Sequence, residues 1–299
     1  MIAGSVPMRP EMAGFRAEPV IVDVRGRHDG RAGTIRPVHP YLAGPRPRAY
    51  AHRGWHTGAL AGCENTLAAF RRAVEEGFGY LELDVHASAD GVAVVHHDVM
   101  LGRTTDGTGR LSAHTVAQLE KVRVCGREPI PLLADVLAAL PDTRVTIELK
   151  SAAVVPSTLA AVEATKAWDR VCVGGFEQAW VNAARRGGGD RLCTSMASRD
   201  VFALRARAWL EALPRPMAAL PSLPLAGDVA HVPVTAGPIR VVDASLVRTA
   251  HAHGREVHVW TINAADRMRR LLDLGVDGLL SDRPDLLRDV LRERGQWPA

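Results

Sequence analysis

The strongest constraint on the fold of this chain is a rhythm. From residue 49 onward, short runs rich in apolar and β-branched residues alternate with amphipathic stretches. The runs that read as strands are "AYAHR", "YLELDVHA", "RVTIELK", "RVCVGGF", "RLCTSMA", "DVAHVPV", "EVHVWTI" and "DGLLSD". Between them, "NTLAAFRRAVEEGF" sets Leu67, Phe70 and Val74 on one helical face and stops at Gly77 or Gly79. "NAADRMRRLLDLGV" opens on Asn263, expected as an N-cap with Asp266 three residues on, and closes at Gly275. The Pro-rich "LPRPMAALPSLPLAG" after "SMA" predicts that one helix is short or irregular. Eight strands alternating with helices over about 250 residues is the count of a (β/α)8 TIM barrel. A doubly wound open sheet is the runner-up, weakened because no Gly-x-Gly-x-x-Gly and no P-loop follows the first strand. Residues 49–299 are therefore expected to form one barrel, and the Gly-, Pro- and Arg-rich residues 1–48 an irregular N-terminal extension. The insertion after the second strand carries Asp90-Gly91, a tight-turn signal that predicts a hairpin between "GVAVVHHD" and the end of that strand.

Composition excludes several classes. The chain is 47% apolar and 23% charged, which is ordinary for a globular domain. No stretch approaches the roughly 20 apolar residues of a membrane span, and the first residues lack the pattern of a secretory signal. The net charge of +4 is spread along the sequence, and 5% aromatic residues leave few stacking platforms, so nucleic acid is not expected as a partner. Cys63, Cys125, Cys172 and Cys193 are scattered without a C-x-x-C pair; reduced thiols in a cytoplasmic protein are expected rather than a disulfide or zinc site. Nothing in the sequence fixes an oligomeric state.

The chemistry concentrates at strand ends. Glu82 and Asp84 lie two residues apart in "YLELDVHA", so on a strand both face one side; Glu148 and Lys150 are related in the same way in "VTIELK". Apolar residues fill the alternating positions, which turns the charged ones toward the barrel interior, where carboxylates need partners. A hard divalent cation with oxygen ligands, Mg²⁺ or Ca²⁺, is the economical one. His52 and Arg53 end the first strand, and one of His96 and His97, with Asp98 to orient it, is expected to face the same mouth. Two imidazoles can act as general base and general acid around a phosphorus, and a guanidinium suits phosphate oxygens. Three carboxylates against Arg53 and Lys150 leave the site about −1, and a divalent cation reverses that sign for an anionic diester. Only three of the 37 basic residues are lysine, so Lys150 stands out.

The stretches "HRG", "ENTLAAF", "ELDV", "DGVAVVHHD", "LGRTTDGTG", "IELK", "VHVWTIN" and "GVDGLLSDRP" run in order from residue 52 to 284, and together they resemble the glycerophosphodiester phosphodiesterase family. The resemblance implies a (β/α)8 barrel with His52 and His97 as the acid–base pair. It implies Arg53, Lys150 and Trp260 on the phosphate and substrate, and a cation on Glu82, Asp84 and Glu148. The implied reaction is metal-dependent hydrolysis of a small glycerophosphodiester to an alcohol and sn-glycerol 3-phosphate. The rivals are a lysophospholipase D or phospholipase C-like enzyme on lipid diesters, a non-catalytic phosphoester-binding barrel, and a metal-dependent sugar isomerase. Two departures from the family pattern are the long loop "WHTGALAGC", where Trp55 and His56 read as a lid or as a restriction on access, and "VGGF" at 173–176. Glu64 reads either as a site contact or as a charge complementing a helix N-terminus.

Overall fold

The computed structural model describes residues 38–212 and 225–297. Its center is a sheet of parallel strands: β1 (Arg48–His52), β2 (Tyr80–Ala87), β3 (Arg144–Leu149), β4 (Val171–Gly174), β5 (Cys193–Thr194), β6 (Val229–Pro233), β7 (Glu256–Trp260) and β8 (Gly278–Ser281). Neighbours run β5-β4-β3-β2-β1-β8-β7-β6. A parallel bridge between Ser195 and Val229 brings β5 to β6 and closes the ring. Each strand is followed by a helix, as in a (β/α)8 barrel.

Alternation along each strand explains both the core and the site. In β2 every residue is buried. Leu81, Leu83 and Val85 join the apolar layer beneath the helices, with Val145 and Ile147 of β3 and Leu279 of β8. The intervening residues Tyr80, Glu82 and Asp84 point into the barrel, as do Arg48, Tyr50 and His52 of β1 and Glu256, His258 and Trp260 of β7. A strand buried on both faces is the mark of a parallel sheet covered by helices. The barrel floor is filled by polar aromatics rather than aliphatic layers. Tyr41, from a 3-10 turn at Pro40–Leu42, enters from below, its Oη 2.6 Å from Thr146 Oγ1 and 3.0 Å from Tyr50 Oη.

The predicted hairpin is present: Ala93–Val95 pairs antiparallel with β2, Val85 opposite Val95. Four expectations need correction. Cys63 and Cys125, 62 residues apart, form a disulfide, while Cys172 and Cys193 are free and buried. The bond ties the loop after β1 to the insertion, a contact between distant segments that no sequence spacing announces. Trp55 is no lid: it is 8% exposed and packs edge-on against Phe78, because its amide is pulled inward to the Ala69 carbonyl at 2.9 Å. Asn263 does not cap a helix. The helix is Ala265–Asp273 with Ala264 at the N-cap, and the Asn263 amide is engaged by Ser281 and Asp282 instead. The helix after β5, Ser198–Glu211, spans fourteen residues, since the prolines fall beyond it; residues 213–224 of the Pro-rich stretch lie outside the described residues. The expected 1–48 extension also lies mostly outside them.

Candidate active site

The site forms at the C-terminal ends of the strands: β2 carries Glu82 and Asp84, and β1 and β3 carry His52 and Glu148, with Arg53 and Lys150 just past their ends. On β1, His52 faces inward and the chain then turns sharply: Arg53 has φ 57° and Gly54 φ 84°. Only glycine fits at 54, since a Cβ there would lie 2.9 Å from the backbone of Ala69. The turn aims Arg53 across the mouth, its Nε 3.3 Å from Asp84 Oδ2 and its Nη1 donating to Glu64 at 3.0 Å.

Oxygens of Glu82, Asp84 and Glu148 lie within 4.8 Å of one another. Glu82 and Asp84 are buried. Burial, with the Asp84 charge beside it, pushes the Glu82 carboxyl up. Burial would also raise Asp84, but Lys150 and Arg53 outweigh it and hold that carboxyl below its ordinary range. Lys150 Nζ is 2.6 Å from Glu148 and 2.8 Å from Asp84. Among these residues, a surplus of carboxylate oxygens converges on one point, and an all-oxygen donor set of this kind suits a hard cation. Asn65 donates to Asp84 Oδ2 at 2.8 Å and fixes its rotation.

Each imidazole has its own carboxylate. His52 Nδ1 is 2.6 Å from Asp282 Oδ1, and its Nε2 is 3.6 Å from Glu82. Burial disfavours the His52 imidazolium, but Glu82 and Asp282 outweigh that and raise its pKa. Asp282 is held in turn by Asn263, whose Nδ2 donates to it at 2.9 Å. His97 Nδ1 is 2.5 Å from Asp98 Oδ1. Arg103 binds Asp98 and Glu64 together, so the loop bearing Arg53 and the hairpin bearing His97 are cross-braced by a guanidinium. His86 Nε2 lies 3.0 Å from the His97 carbonyl oxygen, which supports the same hairpin.

A cavity of about 340 Å³ opens on this cluster, lined by His52, Arg53, Glu82, His97, Glu148 and Lys150. Its other wall includes Phe176, Met196, Val232, Pro233 and Trp260. His97 lines it and His96, buried at 3% exposure, does not. Asp84 lies behind the lining, within reach of Lys150 and Arg53. Every sequence-selected site residue thus gathers at one mouth. Sequence reasoning missed Asp282, Asn65, Arg103 and Asn263. Asp282 was legible in principle, being two residues past inward-facing Leu280 at the end of β8.

The glycerophosphoryl diester phosphodiesterase family model matches residues 52–286. This chain belongs to that family. A Mycobacterium tuberculosis protein named "Probable glycerophosphodiester phosphodiesterase 2" is 37% identical over 250 residues, covering 83% of this chain and 92% of its own length. The structure of an Oleispira antarctica phosphodiesterase in complex with the product sn-glycerol-3-phosphate superposes with a TM-score of 0.66 at 23% identity, covering 83% and 97% of the two chains. A Thermotoga maritima glycerophosphodiester phosphodiesterase does so with 0.62 at 22% identity, covering 81% and 97%. These structural likenesses show the barrel; family membership makes the chain a phosphoric diester hydrolase for glycerophosphodiesters. Among the described residues no helix is long and apolar enough to cross a membrane.

Proposed function

We propose that this barrel cleaves small glycerophosphodiesters to an alcohol and sn-glycerol 3-phosphate, with His52 and His97 exchanging protons with the attacking and leaving oxygens. The observation that carries the reading is the pairing of each imidazole with a separate carboxylate, Asp282 and Asp98, at one cavity that also holds the acidic cluster. Such a carboxylate fixes the tautomer, so that Nε2 is the nitrogen that meets substrate. Arg53 holds phosphoryl oxygens, Trp260 flanks the substrate, and Lys150 presents a compact charge where a planar guanidinium would crowd its neighbours. Glu82, Asp84 and Glu148 hold Mg²⁺ or Ca²⁺, which when bound supplies positive charge to the phosphoryl oxygens. The catalytic unit is the barrel that begins with β1, and Tyr41 of the segment just before it braces the floor. The Cys63–Cys125 bond weighs against the cytoplasmic location expected from the sequence, because structural disulfides persist in oxidising compartments.

The apolar wall gives a second reading some footing. Phe176 is 54% exposed at the mouth and stacks edge-on with Trp260 at 5.7 Å, a surface that a lysolipid chain could cover. A panel of sn-glycero-3-phosphocholine, sn-glycero-3-phosphoethanolamine and lysophosphatidylcholine, each with and without chelator, tests both. The first reading requires metal-dependent turnover of the short diesters above that of the lysolipid; the reverse order supports the second.

A further inference from the structure

Below the catalytic groups lies a buried relay that neither histidine pair explains. On β7 the inward residues are Glu256, His258 and Trp260, and His231 of β6 is the direct register partner of His258. The two rings meet edge to edge, their planes 29° apart and their centroids 5.0 Å apart, with His231 Nε2 3.0 Å from His258 Nδ1. His258 is wholly buried, and Gly278 on the neighbouring strand makes room for it: a Cβ there would lie 2.9 Å from the ring.

The far end of the relay sets the hydrogen positions. Arg48 donates to both oxygens of Glu256 at 2.7 and 2.8 Å, which keeps Glu256 an ionised acceptor. His258 Nε2 lies 2.9 Å from Glu256 and must therefore carry a hydrogen. Burial holds His258 below its ordinary pKa, so the ring is neutral and Nδ1 is a bare acceptor. Two lone pairs cannot face each other at 3.0 Å, so His231 Nε2 carries a hydrogen and donates it. Tyr50 Oη is 3.1 Å from the same His258 nitrogen but also 3.0 Å from Tyr41 Oη, so its proton has another acceptor. Burial, with His258 beside it, depresses His231 well below the usual histidine pKa and keeps it neutral. Its Nδ1 is then an unprotonated acceptor, unused by any described residue, on a ring that lines the catalytic cavity.

We infer that His231 is a specificity residue whose Nδ1 accepts a hydrogen bond from a hydroxyl of the substrate's glycerol moiety. The inference rests on the glycerophosphodiester reading above. Its position fits: Tyr50, whose ring is 5.9 Å from that of His231, lies two residues before His52 on β1, a step of about 7 Å along a strand. The hydroxyl end of a diester held at Arg53 and His52 reaches that layer. The chain Arg48–Glu256–His258–His231 fixes which nitrogen faces the cavity, so the site rewards a hydroxyl donor and gives nothing to a methyl group.

The test is a binding ratio that needs no turnover. Dissociation constants of sn-glycerol 3-phosphate and n-propyl phosphate, which carry the same charge but differ in hydroxyls, are measured by calorimetry with Mg²⁺ present. The wild type is expected to prefer sn-glycerol 3-phosphate by about tenfold, one good hydrogen bond. His231→Phe abolishes the preference. His231→Asn keeps an acceptor at the Nδ1 position and retains most of it, whereas His231→Gln, which replaces Nε2 instead, does not. An equal preference in wild type and His231→Phe overturns the inference, as does failure of the wild type to discriminate. If neither ligand binds the wild type, the glycerophosphodiester reading falls with it; if both bind but alike, only the role of His231 is lost.

Discussion

Breaking the Cys63–Cys125 bond should weaken both the fold and the site. The bond closes a loop of 62 residues. In the chain-entropy account a loop of that length restricts the unfolded state by about 4 kcal/mol. For a barrel of this size each kcal/mol moves the melting temperature by about 2–4 °C, so reduction should lower it by roughly 8–16 °C. The functional effect comes through the two residues next in the chain after Cys63. Glu64 receives Arg53 and Arg103, and Asn65 fixes Asp84, so loosening residue 63 loosens the phosphate clamp and one carboxylate of the acidic cluster together. The assay is a thermal melt with and without dithiothreitol, alongside Cys63→Ser, with free thiols counted by mass spectrometry. Cys172 and Cys193 are reduced in both states and serve as the internal baseline. The reduced protein should also lose kcat/KM on sn-glycero-3-phosphocholine. A melt that shifts by less than about 2 °C upon confirmed reduction would refute the idea that this cross-link constrains the chain.

His52→Ala and His97→Ala should each lower kcat by about 10²–10⁴-fold while His96→Ala, which removes a ring outside the cavity, changes it far less; a larger loss in His96→Ala would show the hairpin register to be wrong. Asp282→Asn keeps the shape beside His52 but offers a donor or neutral acceptor in place of a carboxylate, and kcat should fall about 10²-fold or more with the fold intact by circular dichroism. Acid should destabilise the barrel through its floor. Burial lowers His231 and His258, so as pH falls below about 6.5 the unfolded chain binds protons that the native state does not, and each such histidine costs up to about 1.4 kcal/mol per pH unit. Urea midpoints between pH 7.5 and 5.5 measure this, and a floor histidine replaced in His258→Phe should flatten the slope.

Much of the architecture was readable because alternation carries it. The run "YLELDVHA" maps onto the strand Tyr80–Ala87 residue for residue, since its apolar and charged positions serve opposite faces of a strand covered on both sides. The same period put Glu82, Asp84, Glu148 and Lys150 at one mouth. What stayed hidden depends on contacts between distant segments. Asn263 looked like a helix cap by local rules, yet Asp282, nineteen residues on, makes the stronger claim on its amide. Cys63 and Cys125 meet only because the insertion folds back over the loop after β1. Arg103 sits in a polar stretch where nothing local distinguishes it from a solvated charge, and its role as a brace exists only once Glu64 and Asp98 are brought together.

Which bond is cut, and whether a cation is needed to cut it, decide the chemistry of this barrel. Phosphorus NMR of sn-glycero-3-phosphocholine incubated with chelator-stripped protein, before and after addition of Mg²⁺ or Ca²⁺, reports both at once. The prediction is no conversion without metal and, on its addition, growth of the sn-glycerol 3-phosphate resonance with release of free choline, both abolished in Glu82→Gln. Full turnover in excess chelator, or phosphocholine as the product, would contradict it.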